Sequence, residues 1–197
     1  MLLVIIADQL QKQNNEGENI VKIFIAGAKS INSLDAFVQK KLMSICQKNY
    51  DVVVGDCYGV DSLVQKFYAN VGYRNIEIFA SNGKARNNVG NWTVHNVPVP
   101  ASVRGFEFYK QKDIAMANTA DYGFMIWDGE SKGTLNNVIN LISRNKPVMV
   151  YLINQKKVLT VENTEDLNEL FRNCNKETKS LYLKLRGKEN LQISMPV

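Results

Sequence analysis

The sequence predicts an α/β fold in which helices cover both faces of a doubly wound, mostly parallel sheet. Strand-like and helix-like segments alternate along residues 20–153, which is the pattern of such folds. Residues 122–127 (YGFMIW) form an almost unbroken apolar run, typical of a strand that is buried on both faces. A short polar loop follows, and then apolar residues recur at helical spacing at Leu135, Val138, Ile139 and Ile142.

The chain of 197 residues has room for one α/β domain with small extensions. We predict an N-terminal extension over 1–19, a main domain over 20–153 and an α/β extension over 154–197. The apolar start is too short to span a bilayer and lacks the features of a secretory signal. We therefore expect a cytoplasmic protein with no membrane partner. The three cysteines are scattered and form no CxxC pair, which indicates reduced thiols.

The net charge of +5 and the pI near 9.0 favour a phosphorylated or polyanionic partner. The basic residues between 156 and 188 alternate with acids, which is typical of a solvated surface. Lys84, Arg86 and Lys132 matter more for function, because each lies in a predicted loop beside a strand end.

The first strand–helix unit begins at residues 21–26 (VKIFIA), which predict a strand. The loop after it, residues 27–30 (GAKS), leads to a helix with an apolar stripe. This loop contains one glycine, so the GxGxxG fingerprint is absent and a conventional NAD site is not expected.

The second unit has a strand at residues 51–54 and the segment GDCYGVD at residues 55–61, which opens a helix. Gly55 and Gly59 would let a ligand approach the backbone, or would only permit positive φ angles. Asp61 lies in the first helical turn, where its charge complements the helix dipole with or without a ligand.

The third strand, residues 76–79, precedes a long loop, SNGKARNNVGNW, at residues 81–92. Long irregular loops in compact domains are often functional. Lys84 and Arg86 could bind phosphate, and Arg86 could do so with two hydrogen bonds. Trp92 could stack on a base, but a position in the core is favoured for it.

Residues 94–99 predict a short fourth strand that contains His95. A single histidine supports neither a metal site nor a catalytic triad, so we expect it on the surface or within the strand. Residues 104–120 predict a long helix. Five of its side chains are expected near its buried or site-facing side: Phe108, Tyr109, Lys112, Asp113 and Met116.

Residues 147–153 (PVMVYLI) predict a strand that closes the sheet. Beyond it, residues 158–161 (VLTV) are compatible with a further strand. Residues 164–174 predict a helix capped by Thr164, with acids in its first turn.

The loop after residues 122–127 is the best candidate for a ligand site. In a strand–loop–helix unit the free amides and positive dipole end of the helix point at one spot, which favours phosphate. Lys132 precedes Gly133, so this is not a Walker A loop. The alternative is an ordinary turn, with Ser131 or Thr134 as the helix cap and Asp128 closing the turn.

Three segments together resemble a known superfamily: AGAKSI after the first strand, GDCYGVD after the second, and ADYGFMIWDGESKGT before the last helix of the main domain. They are similar to the Rossmann-like superfamily that unites the lysine decarboxylase-like LOG proteins, the DNA-processing protein DprA and SLOG nucleotide-sensing domains. The resemblance covers about residues 20–153 and does not extend to the tail.

The resemblance implies a pocket for a nucleotide or a nucleotide-derived ligand. The LOG phosphoribohydrolases carry PGGxGTxxE, and alignment on Gly133 and Thr134 places Asn137 where they have a catalytic glutamate. An amide does not replace a general base or a stabilising carboxylate. From residues and resemblance together we predict the following ligand-binding set: Gly27, Lys29, Ser30, Gly55, Asp56, Gly59, Asp61, Lys84, Arg86, Asp128, Gly129, Ser131, Lys132, Gly133, Thr134 and Asn137.

Three functions remain open, in order of preference. The first is binding or sensing of a nucleotide, which needs only the phosphate loops. The second is hydrolysis or exchange at an N-glycosidic bond, with Asp56, Asp61 or Asp128 as the carboxylate, as nucleoside deoxyribosyltransferases use acids in a related fold. The third is DprA-like binding of single-stranded DNA. No cofactor or metal is expected, and a homodimer is left open.

Overall fold

The computed structural model describes residues 20–172, 174 and 176–189. The predicted N-terminal extension, 1–19, lies outside the described residues. Seven strands form one sheet: β1 (Lys22–Gly27), β2 (Asp51–Gly55), β3 (Ile76–Ser81), β4 (Thr93–Val97), β5 (Tyr122–Trp127), β6 (Val148–Leu152) and β7 (Lys157–Val161). Six described helices connect or follow them: α1 (Ala36–Gln47), α2 (Val60–Asn70), α3 (Gly105–Thr119), α4 (Lys132–Ile142), α5 (Thr164–Arg172) and α6 (Lys176–Glu189).

The strand order is β4-β3-β2-β1-β5-β6-β7, and every neighbouring pair is parallel except β6 and β7. The predicted α/β fold with a doubly wound, mostly parallel sheet is therefore confirmed. From β1 the chain winds outward through β2, β3 and β4, and then returns to β5 on the other side of β1. The boundary between β1 and β5 is thus the topological switch point, where ligands of such sheets bind.

Helices cover both faces of the sheet because both faces of its central strands are apolar. On one face Val38 of α1 and Val64 of α2 are fully buried against the strands. On the other, Met116 of α3 and Val138 of α4 pack against side chains such as Phe24. The strand β5 is buried along its whole length, as its continuous apolar sequence predicts.

Two predictions about the end of the chain are wrong. Residues 147–153 do not close the sheet, because β7 pairs antiparallel with β6 through residues 157–161. Helix α5 begins at Thr164, but its cap is Asn163, whose Oδ1 accepts hydrogen bonds from the amides of Glu165 (2.8 Å) and Asp166 (3.0 Å). An asparagine one residue earlier caps as well as threonine does.

Two aromatic positions follow the sequence prediction. Trp92 is buried, and its Nε1 donates to the carbonyl of Tyr73 at 3.0 Å. His95 lies on β4, with its Nε2 2.7 Å from Glu77. No described helix is both long and apolar enough to cross a bilayer, and all three cysteines are free thiols.

Candidate functional site

A cavity of about 360 Å³ opens at the carboxyl ends of β1 and β5, between the first turns of α3 and the start of α4. It therefore lies at the topological switch point. Ten of the sixteen predicted ligand-binding residues line it: Gly27, Lys29, Ser30, Asp61, Asp128, Ser131, Lys132, Gly133, Thr134 and Asn137. The sequence prediction placed a ligand site in this region from the strand–loop–helix pattern and the family resemblance together.

The start of α4 presents unpaired backbone donors to the cavity. Ser131 is the cap, because its Oγ accepts from the amide of Thr134 at 3.5 Å and from its hydroxyl at 3.1 Å. Trp127 donates from its Nε1 to the Ser131 carbonyl at 3.1 Å and so holds the cap in place. Lys132 and Gly133 are the first two helical residues, and their amides have no acceptor among the described residues. Such a helix start attracts an anion.

Asp128 closes the turn before α4. Its carboxylate accepts from the Ser30 hydroxyl at 2.6 Å and from the amides of Glu130 and Ser131 at 2.9 and 2.7 Å. Burial alone would raise the pKa of Asp128, but these hydrogen bonds outweigh it and the pKa is lowered. Asp128 is therefore an ionised group that fixes the loop and joins it to the loop after β1.

A buried charged cluster lies at the inner end of the cavity. Asp61 and Lys112 are 5% and 3% exposed, and Lys112 Nζ lies 2.7 Å from Asp113 Oδ1. The Cys57 amide donates to Asp61 Oδ2 at 3.2 Å. Burial raises the pKa of Asp61 to about 6, although the charge of Lys112 opposes the shift. Burial would lower the pKa of Lys112, but the charges of Asp113 and Asp61 raise it.

The glycines of the second unit serve packing within the protein. A Cβ on Gly55 would collide with the carboxylate of Asp61 and the ammonium of Lys112. Gly59 has a φ of +73°, and a Cβ there would collide with the backbone of Lys29. Neither glycine lines the cavity. Their role is to let the buried charges and the loop after β1 approach the backbone of this unit.

Four further predicted residues do not line the cavity: Asp56, Lys84, Arg86 and Gly129. Lys84 is exposed. Arg86 is held by Asp56, and its guanidinium carbon lies 4.7 Å from the ring centroid of Tyr109, which does line the cavity. Gly129 has a φ of +87°, and its carbonyl accepts from the Thr178 hydroxyl at 2.8 Å.

Asn137 lines the cavity one helical turn beyond Gly133. The residue is 4% exposed, and its Oδ1 is buried without a hydrogen-bond partner among the described residues. Leaving a buried polar atom unpaired costs about 1 to 3 kcal/mol. Five buried side-chain atoms among the described residues have no hydrogen-bond partner, and Asn137 is the one residue of these that lines the cavity. Native proteins satisfy nearly all such atoms.

Helix α3 contributes a wall that the sequence prediction only partly identified. Tyr109, Lys112, Asp113 and Met116 were assigned to the buried or site-facing side of this helix. Four lining residues were missed: Ala26, Cys57, Phe106 and Lys110. The sequence feature that indicated this wall was Lys112, a lysine one helical turn before Met116 on the apolar side of a helix.

Two lysines of the cavity lie close to its aromatic rings. The ammonium of Lys29 lies 5.6 Å from the Tyr109 ring centroid, and that of Lys132 lies 4.4 Å from the Phe106 centroid.

Among the described residues, no group of three or more His, Cys, Asp or Glu side chains is arranged to hold a metal ion. Comparison of the sequence with known proteins gave no matching family model and no matching curated protein.

Proposed function

We propose that this protein binds a nucleotide or a nucleotide-derived phosphorylated ligand in the cavity between β1 and β5, without turning it over. One observation carries the proposal. At the switch point, the amides of Lys132 and Gly133 border the same cavity as Asn137, and neither these amides nor the buried Oδ1 of Asn137 has a hydrogen-bond partner among the described residues. An anion and a hydrogen-bonding group on one molecule would satisfy both.

The phosphate end of the ligand fits the start of α4. The two free amides, the helix dipole and the ammonium groups of Lys29 and Lys132 all favour negative charge there. A Cβ on Gly133 would meet no other atom within 4 Å, so the glycine leaves open space in front of the amides. Arg86 is already paired with Asp56, which favours one phosphate over several.

The base end of the ligand fits the wall formed by α3. Phe106 and Tyr109 line the cavity, and Tyr109 is 40% exposed. Stacking of a base on an aromatic side chain contributes about 1 to 3 kcal/mol. The volume of about 360 Å³ is near the lower end of the range for ligand pockets, about 300 to 1,000 Å³. A single nucleotide therefore fits better than a dinucleotide.

Isothermal titration calorimetry tests the proposal with adenosine, guanosine, cytidine and uridine monophosphates. Matched titrations with inorganic phosphate, ribose 5-phosphate and the free nucleosides separate the two ends of the ligand. The proposal expects at least one monophosphate to bind more tightly than its nucleoside and than ribose 5-phosphate. Equal affinity for nucleoside and nucleotide, or no binding of any monophosphate, would contradict a phosphate site at the start of α4.

A second candidate function is hydrolysis of an N-glycosidic bond, and the position of Asp61 favours it. Asp61 lines the cavity, and a carboxyl with a pKa of about 6 exchanges protons readily near neutral pH. In this reaction the bond between C1′ and the base nitrogen breaks, the oxygen of water bonds to C1′, and the leaving base takes up a proton. Release of free base by the wild type, lost in Asp61→Asn, would establish this function in place of binding alone.

A further inference from the structure

Helix α6 of the C-terminal extension contacts the loop that opens the candidate phosphate site. The Thr178 hydroxyl donates to the Gly129 carbonyl at 2.8 Å, and Thr178 is 1% exposed. Gly129 follows Asp128 directly and precedes the cap of α4 by two residues. A side chain of α6 thus holds the backbone of the turn that leads to the start of α4, where the Lys132 and Gly133 amides border the cavity.

Two buried side chains of α6 contact neighbouring parts of the protein. Among the α6 side chains that the structure describes, Thr178 and Tyr182 are buried, while Lys176, Glu177, Lys179, Ser180 and Leu183 are exposed. Tyr182 stacks on Phe171 of α5, with ring centroids 3.7 Å apart, and its hydroxyl donates to Asn168 at 3.1 Å. Tyr182 therefore holds α6 to α5, whereas Thr178 holds it to the loop.

Gly129 gives this loop a backbone conformation in the left-handed region. Its φ of +87° is a conformation that residues with a Cβ rarely adopt, and a Cβ there would meet no other atom within 4 Å. The glycine is therefore required by the backbone conformation and not by packing. Side chains from two other parts of the chain hold carbonyl groups of this turn. Thr178 holds the Gly129 carbonyl, and the side chain of Asn154 holds the Asp128 carbonyl at 3.1 Å.

We propose that Thr178 is a positioning residue for the phosphate loop and that α6 responds to occupancy of the cavity. This inference rests on the proposed function for its ligand, but not for its effect on the loop. A ligand that fixes the loop strengthens the docking of α6, and docked α6 raises the affinity for the ligand, because coupling between two sites is reciprocal. Occupancy is thereby transmitted to a helix with a largely exposed outer surface.

The test compares full-length Thr178→Val, which loses the hydroxyl at similar volume, with Thr178→Ser, which keeps it. Ser180→Ala is the matched control on the exposed side of the same helix. Without any ligand, hydrogen–deuterium exchange of residues 129–134 should accelerate in Thr178→Val and remain unchanged in Thr178→Ser and Ser180→Ala. Equal exchange of these residues in wild type and Thr178→Val would overturn the inference, whether or not a nucleotide binds.

The second arm adds a mixture of the four nucleoside monophosphates to the wild type. Exchange of α6 amides should slow, and the affinity measured by calorimetry should fall on the order of 3- to 10-fold in Thr178→Val, the loss of one hydrogen bond. Thr178→Ser should restore it. Binding of a monophosphate with no change in the exchange of α6 amides would overturn the coupling between the cavity and α6, but not the role of Thr178 in the loop. The absence of binding to the wild type would overturn the coupling and the proposed function, and the first arm would still decide the role of Thr178 in the loop.

Discussion

Arg86 binds the carboxylate of Asp56 with both arms of its guanidinium group: Nε donates to Oδ2 at 2.9 Å and a terminal nitrogen donates to Oδ1 at 2.7 Å. The backbone amide of Arg86 adds a third hydrogen bond at 3.1 Å. The Asp56 side chain is 4% exposed. Burial would raise the pKa of Asp56, but the hydrogen bonds from Arg86 lower it. This pair fastens the long loop after β3 to the end of β2.

The first prediction concerns the stability that this pair supplies. Arg86→Ala leaves a buried carboxylate with only its backbone donor, so we expect the free energy of unfolding to fall by about 2 to 3 kcal/mol. Urea denaturation measures it. Lys84→Ala is the matched control, because Lys84 is an exposed cation of the same loop, and it should change stability by less than about 0.5 kcal/mol. Equal effects of the two substitutions would contradict a structural role for the pair.

The second prediction is a pH dependence that comes from Asp61. Its pKa is about 6 in the folded protein against 3.8 for the unperturbed group. A raised pKa means that protonation favours the folded state, so this contribution is complete below about pH 3.8 and is lost as pH rises through about 6. Asp61→Asn stays neutral and removes the dependence.

Urea denaturation at a series of pH values measures this difference. Relative to Asp61→Asn, the wild type should lose on the order of 2 to 3 kcal/mol of unfolding free energy between pH 4 and 7. Parallel curves for the two proteins would show that Asp61 titrates as an ordinary carboxyl. A difference of opposite sign would mean that its pKa is lowered.

The third prediction concerns the base end of the ligand. Tyr109→Ala removes a ring from the cavity wall, so the affinity for a nucleoside monophosphate should fall by about 1 to 3 kcal/mol. The affinity for ribose 5-phosphate, which lacks a base, should stay the same. Tyr58→Ala is the control, because Tyr58 is 68% exposed and does not line the cavity. Equal losses for both ligands, measured by calorimetry, would count against stacking.

The fourth prediction is that the purified protein does not hydrolyse adenosine monophosphate at a rate typical of enzymes, about 1 per second or faster. The proposed resemblance to the LOG phosphoribohydrolases would place Asn137 at the position of their glutamate, and an amide cannot serve as a general base. Chromatography of the reaction mixture detects free adenine. Release of adenine at such a rate would contradict this prediction and favour the second candidate function, hydrolysis of the N-glycosidic bond. Asp61 would then be the first residue to replace.

The succession of strands and helices along the chain, and a site at the carboxyl ends of the strands, could be predicted because they depend on local patterns. Apolar runs such as residues 122–127 mark buried strands, and the loop before Gly133 begins a helix at the sheet edge where ligands bind. Arg86 shows what could not be predicted. Its partner, Asp56, is thirty residues earlier in the chain, and no local pattern indicates that a buried acid already holds this cation.

The hydrogen bond from Thr178 to Gly129 could not be predicted either, because the two residues are forty-nine positions apart in the chain. Its helix, α6, has no apolar pattern that indicates where it docks. The role of Gly55 and Gly59 could not be predicted for a different reason. A glycine beside a predicted site is equally compatible with ligand approach and with packing inside the protein, and only the three-dimensional neighbours, Lys112 and Lys29, distinguish the two.

The fifth prediction tests the phosphate site at Gly133. A Cβ there meets no protein atom within 4 Å, so Gly133→Val should fold normally, with an unfolding free energy within about 0.5 kcal/mol of wild type. Its branched side chain would occupy the space in front of the Lys132 and Gly133 amides and exclude a phosphate.

The most direct measurement is therefore thermal unfolding of wild type and Gly133→Val with and without nucleoside monophosphates. At a hundred times its Kd, a bound monophosphate should stabilise the wild type by about 2.7 kcal/mol and leave Gly133→Val unchanged. Stabilisation of both proteins by the same amount, or of neither, would contradict nucleotide binding at the start of α4.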